Sequence, residues 1–174
     1  FNEACTRLLY GVKDDSVARA FHLAGDISNQ TIKTVKEDGT VADLPSNHFW
    51  EFFGDPFTRK EIISMADPGA EGVRILTQAE EGIALLEQAR SVATRNQDNL
   101  DLILFGARSY RALGHKLVAI GHYRDESYPR ETAAAELEAV ADEYDVLKGE
   151  FQRLWLAEDR ENDAYQMHCG RFDQ

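Results

Sequence analysis

An all-α fold is what this chain predicts: an antiparallel up-and-down bundle of three long helices, with shorter N-terminal helices laid alongside. Three observations carry that expectation. Apolar residues recur at three- and four-residue steps over long stretches, the mark of one helical face. The period-two alternation of a half-buried strand does not run through those stretches. Between them lie polar links of a few residues, and links that short make neighbouring helices antiparallel. A chain of 174 residues suits one domain spanning 1–174, and at this size it buries roughly two thirds of its unfolded surface.

The elements follow in order. Residues 2–10 place Ala4, Cys5, Leu8 and Leu9 on a short helix that Gly11 stops. Asp14, Asp15 and Ser16 supply cap and N-terminal charge to a second helix presenting Val17, Ala20, Phe21, Ala24 and Ile27. Gly39, within KEDGT, marks a turn or loop. From Pro45 to Pro68 the pattern changes to one short helix and an irregular stretch, with Phe49, Trp50, Phe52, Phe53 and Phe57 crowded together and closed by Gly54, Asp55 and Pro56. So many rings require burial, either in this domain's core or against another surface.

Thr77 followed by Glu80 has the form of a capping box, and a helix showing Ile83, Leu86 and Ala89 runs on to about residue 95. After the link RNQDN, a wide stripe of Leu100, Ile103, Leu104, Ala107, Tyr110, Leu113, Leu117 and Ile120 defines the next helix. Gly106 and Gly114 within it are expected to allow close helix approach. Residues 123–129 turn into the longest segment, 129–160, whose face is Leu137, Val140, Ala141, Tyr144, Leu147, Phe151, Leu154 and Trp155. That segment is expected to be the mast against which the others pack. The remainder is expected to form a short helix or tail.

Composition excludes several functions. A net charge of −12 argues against a duplex-binding surface, because counterion release needs a clustered basic face. Apolar runs are interrupted by charge every few residues, so no membrane span is expected. Cys5 and Cys169, near opposite ends, are not a disulfide framework; they are expected to be free unless the termini meet. No cofactor and no metal centre are expected: Glu-x-x-His, the di-iron bundle motif, does not occur, and His22, His48, His115, His122 and His168 are dispersed. Adjacent acids at Asp125-Glu126, Asp142-Glu143 and Glu158-Asp159 splay by about 100° on a helix and cannot converge on one bond. No nucleophile motif or phosphate loop is present.

The end of the long segment is more specific. The run LKGEFQRLWLAEDREND, followed by Arg171-Phe172, resembles the close of many family 20 glycoside hydrolases: a polar helix, Leu-Trp, an Asn-Arg-like pair, and a final segment ending in Arg-Leu or Arg-Phe. Leu154, Trp155 and Arg160 match that motif, while Asp159 stands where Asn is more usual. The opening FNEACTRLLYGV and the aromatic FWEFFGDPF are similar to stretches that follow the catalytic barrel in these β-N-acetylhexosaminidases.

The resemblance implies a helical domain C-terminal to a (β/α)8 barrel, in an exo-acting enzyme that removes terminal N-acetylhexosamine by substrate-assisted catalysis. The family's catalytic Asp-Glu pair matches no position here, so no residue of this chain is expected to be catalytic. The expected partner is the barrel of the same polypeptide, this chain being a piece of a longer one. A homodimer is the other, with Trp50, Phe52, Phe53, Trp155 and Arg160 as contacts to substrate or interface. A cytoplasmic location is expected. From another class comes the alternative of a self-contained helical interaction or ligand-sensing module with a pocket between its helices.

Overall fold

A computed structural model describes residues 2–46, 48–158 and 163–172. The side chains of Asn2, Phe49, Trp50, Glu158, Asp163, Ala164 and Met167 fall outside that description. The order is α1 (Asn2–Tyr10), α2 (Ser16–Ser28), β1 (Gln30–Val35), β2 (Val41–Ser46), α3 (Phe49–Phe53), α4 (Lys60–Ile63), α5 (Pro68–Val92), α6 (Gln97–Arg124), α7 (Arg130–Glu158) and α8 (Asp163–Arg171). The protein is an all-α bundle of long helices with one small two-stranded hairpin.

Gly11 ends α1 with φ +74°, a conformation that favours glycine, and an added Cβ there would meet Thr94 Oγ1 at 2.1 Å. The freed carbonyls of α1 are taken up by the link between α5 and α6. Thr94 N donates to Tyr10 O at 3.0 Å, Arg95 to Leu8 O at 3.2 Å and Asn96 Nδ2 to Leu9 O at 2.7 Å. The N-terminal helices are thereby tied to one end of the long hairpin of helices.

The strands were not among the expected elements. Gly39 does turn the chain, with φ +80°, and its loop joins two antiparallel strands paired from Gln30↔Ser46 to Val35↔Val41. The cause is the run Thr31-Ile32-Lys33-Thr34-Val35, in which Ile32 and Thr34 are buried while their neighbours are exposed. Pro45 is tolerated in β2, an edge strand. β1 is covered on its other side by the chain after α4, through Val35 N to Ser64 O at 2.7 Å and Ala66 N to Lys33 O at 2.8 Å.

The first long helix begins earlier than its capping-box signal. Asp67 caps α5 by accepting from Ala70 N at 2.9 Å, and Pro68 opens the first turn. Thr77 lies inside the helix, its hydroxyl donating back to Val73 O at 2.9 Å. The centre of the bundle is α6, not α7. α6 packs against both other long helices, and Leu100, Leu104, Ala112, Leu113, Leu117 and Ile120 are all buried on it. Among the described side chains of α7, only Ala133, Tyr144, Leu147 and Leu154 are buried.

The reason is backbone proximity. A Cβ at Gly72 would lie 2.7 Å from Gly114 O and Val118 N, and one at Gly121 would lie 2.7 Å from Gly69 Cα. Gly69 and Gly72 on α5 therefore abut Gly114 and Gly121 on α6 with almost no side chain between them. Gly114 behaves as expected, but Gly106 faces open space, with nothing within 4 Å of a built Cβ.

Candidate functional site

The aromatic segment folds as α3 followed by a tight turn. Asp55 Oδ1 accepts from Phe57 N at 2.7 Å and Thr58 N at 3.1 Å, an Asx arrangement that closes the Gly-Asp-Pro corner. Two buried side chains from the long helices grip the carbonyls of this turn. Lys116 Nζ, from α6, donates to Phe52 O at 3.0 Å and to Gly54 O, and Tyr144 OH, from α7, donates to Phe52 O at 2.9 Å. Burial drives the Lys116 ammonium down to about 8, against the support of Asp55 and Glu51. Burial, then the nearby Glu143 charge, pushes the Tyr144 phenol well above its ordinary value.

Around that grip the rings form one cluster. Phe52 stacks on Tyr144 at 4.8 Å and meets Phe53 edge-on at 4.7 Å, and both approach Phe172, at 5.9 and 5.5 Å. Phe151 extends the cluster from Phe172, 5.7 Å away, to Trp155 at 5.5 Å. Three of the five residues expected to contact substrate or partner, Phe52, Phe53 and Trp155, are thus joined. Phe52 is in the core, and the other two are half-buried. Trp155 Nε1 is buried without a hydrogen-bond partner among the described residues. Trp50 lies on α3 with its side chain outside the described set, and Arg160, with Asp159, lies outside the described residues.

Two cavities flank the cluster. One, of about 440 Å³, is lined by Lys116, Tyr144, Asp145 and Arg171 together with Phe53 and Phe57. The other, of about 300 Å³, lies between Phe52, Phe53, Phe105, Phe151 and Phe172 and is bounded by His48 and Gly106. A larger cleft of about 740 Å³, of mixed lining, runs between the hairpin and α4. At its edge Glu51, 2% exposed, accepts from Ser46 Oγ at 2.7 Å.

His48 is 1% exposed and holds φ +59°, a strained value for a non-glycine residue. Its Nε2 stands 3.2 Å from Glu71 Oε1. Burial would raise the Glu71 carboxyl, but the close approach of His48 Nε2 and the hydrogen bonds and charge of Arg74 outweigh it and hold the group at about 2. A folded value below the usual 4.5 means stabilisation that is full above pH 4.5 and lost as pH falls toward 2. Urea unfolding at pH 7 and pH 3 should show the wild type losing about 1 to 2 kcal/mol more than Glu71→Gln, after allowance for solvent screening. Equal losses would remove Glu71 from the acid response.

Sequence reasoning missed a regular feature of the α6–α7 seam. His115 Nδ1 lies 2.7 Å from Glu143 Oε2, and His122 Nδ1 lies 2.7 Å from Glu136 Oε2. Both pairs are spaced by one heptad on antiparallel helices, so the same contact repeats two turns apart. Arg111 joins Glu143 at 3.0 Å and Arg108 joins Glu150 at 2.8 Å. This polar seam moors a helix that buries little apolar surface. The heptad spacing was visible in the chain; the register that pairs the residues was not.

Cys5 and Cys169 are free thiols. Among the described residues no three His, Cys, Asp or Glu side chains are grouped to hold a metal ion, and no helix is long and apolar enough to cross a membrane. Comparison with known proteins returns no matching family model, no matching curated protein and no matching solved structure.

Proposed function

We propose that this chain is the non-catalytic helical accessory domain that follows the (β/α)8 barrel of an exo-acting β-N-acetylhexosaminidase of glycoside hydrolase family 20. The support is the Phe53-Gly54-Asp55-Pro56 turn, part of one of the stretches that carries the resemblance. Its carbonyls are taken by Lys116 and Tyr144 and its Phe52 ring by the core, so the turn is a braced support. Just beyond it Phe57, 55% exposed, meets the exposed Tyr123 edge-on at 5.2 Å, with the Arg130 guanidinium 4.9 Å from the Tyr123 ring. This aromatic edge is the surface offered to the barrel, in keeping with the preference of interfaces for Tyr, Phe and Arg.

The test uses a chromogenic N-acetylglucosaminide. This chain alone should give no turnover, and the parent polypeptide carrying a barrel should hydrolyse it. Phe57→Ala with Tyr123→Ala should lower the melting temperature of the parent by more than that of this chain, which loses only the Phe57–Tyr123–Arg130 contacts. Hydrolysis by this chain alone, or a parent without hexosaminidase activity, would overturn the reading. The ligand-sensing alternative is favoured by one observation, the aromatic cavity beside His48.

A further inference from the structure

We propose that the cavity between α3, α6, α7 and α8 binds an uncharged one- or two-ring aromatic molecule that carries an N–H or O–H donor. The inference holds whether or not a barrel accompanies this domain. Small-molecule sites are concave and mostly apolar, with a few placed polar groups. Here five phenylalanines, Phe52, Phe53, Phe105, Phe151 and Phe172, form the walls. At about 300 Å³ the space is twice the roughly 150 Å³ that admits benzene in an engineered apolar cavity, which suits a fused bicycle.

Charge sets the ligand's class. No Asp, Glu, Lys or Arg is among the described residues lining this cavity, whereas the neighbouring one carries Lys116, Asp145 and Arg171. The polar groups of the wall, on His48, Ser109, Tyr110 and His168, include no carboxylate, ammonium or guanidinium to pair with a charged ligand, which would give up hydration without gaining a counter-charge.

His48 sets the polar requirement. It belongs to the wall, and neither of its buried ring nitrogens makes a hydrogen bond among the described residues. Buried polar groups are otherwise nearly always paired, and each exception asks for an explanation. The Glu71 carboxylate, 3.2 Å from Nε2, favours the tautomer with the hydrogen on Nε2, leaving Nδ1 a bare acceptor. A ligand N–H or O–H completes it. The strained φ of His48 agrees, since such strain collects at ligand clamps.

Gly106 gives the test its handle. It lines the cavity and a Cβ there meets nothing within 4 Å, so the side chain of Gly106→Leu starts in open space at the cavity wall. The full chain is titrated with indole, with benzothiophene as the same shape lacking the donor, and with benzoate as the charged control, by calorimetry and ligand-observed NMR. Indole should bind saturably, about tenfold more tightly than benzothiophene, the worth of one hydrogen bond. Benzoate should not bind. Gly106→Leu, folded by circular dichroism, should lose indole binding, and His48→Leu should erase the preference over benzothiophene. Intermolecular NOEs from indole to the Phe105 and Phe151 rings read the site without any variant. Absence of saturable indole binding to the folded chain, binding unchanged in Gly106→Leu, or NOEs confined to other residues would overturn the proposal.

Discussion

Gly72→Ala should lower the stability of the bundle by about 2 to 3 kcal/mol, although alanine is the better helix former. The propensity gain of about 1 kcal/mol is real but local. Against it stands a Cβ placed 2.7 Å from Gly114 O and from Val118 N, and 2.9 Å from Val118 Cγ2. Two of those three atoms are backbone and cannot rotate away, so α5 and α6 have to separate along their whole seam. Overpacking of that kind costs about 1 to 3 kcal/mol and more where backbone must move. For a chain of this length the melting temperature should fall by roughly 5 to 10 °C. Gly121→Ala should behave alike, its Cβ meeting Gly69 Cα at 2.7 Å and Gly69 N at 2.8 Å. Gly82→Ala is the control: nothing lies within 4 Å of its Cβ, so that variant should melt higher by the propensity gain alone. Thermal unfolding followed by circular dichroism decides it. If all three substitutions raised the melting temperature, the seam would not be held at backbone contact.

The glycines also show what a sequence can and cannot disclose. The three long helices and their antiparallel order were legible, because a 3.6-residue apolar period survives over α5, α6 and α7, whereas the short α4 and the start of α5 were not. The identity of the central helix was not. Ranking helices by length and periodicity favours α7, whereas close packing favours the helix with Gly114, Ala112 and Gly121, small residues that contribute little to an apolar stripe. The hairpin escaped because the few alternating residues of β1, paired with a strand that contains Pro45 and does not alternate, are too few to compete with surrounding helical signals. Thr77 and Glu80 misled because a capping box is short enough to arise inside a helix; the Asp67-Pro68 pair, with its cap ten residues earlier, was the stronger start. At the candidate site, Phe52 and Phe53 were legible from ring density alone. Lys116 was not, since a lysine on a helix belongs by default in water. Nor was His48, whose burial and backbone strain depend on α3 being folded back onto α5 and α6.

Lys116 should make the protein more stable as the solution becomes alkaline. Its residue is 6% exposed, and in the fold it loses its proton at about 8, whereas the unfolded chain holds that proton to the ordinary value of 10.5. Below pH 8 both states are protonated and nothing is gained. Between the two values the unfolded state binds more protons, so unfolding becomes harder as pH rises. From pH 7 to 9.5 the gain should be about 2 kcal/mol, read as a higher urea midpoint. The neutral amine still donates to Phe52 O and Gly54 O, and the Tyr144 phenol, held above its ordinary value, keeps its proton and its bond to Phe52 O through this range. Lys116→Met removes both effects. At neutral pH it relieves the burial of a charge while leaving the Gly54 carbonyl without its donor, two terms of about 1 to 3 kcal/mol that oppose each other. At pH 9.5 only the orphaned carbonyl remains, so the deficit of the variant should widen with pH. A rise of equal size in Lys116→Met would assign the alkaline gain to another group and leave the braced turn without its cation.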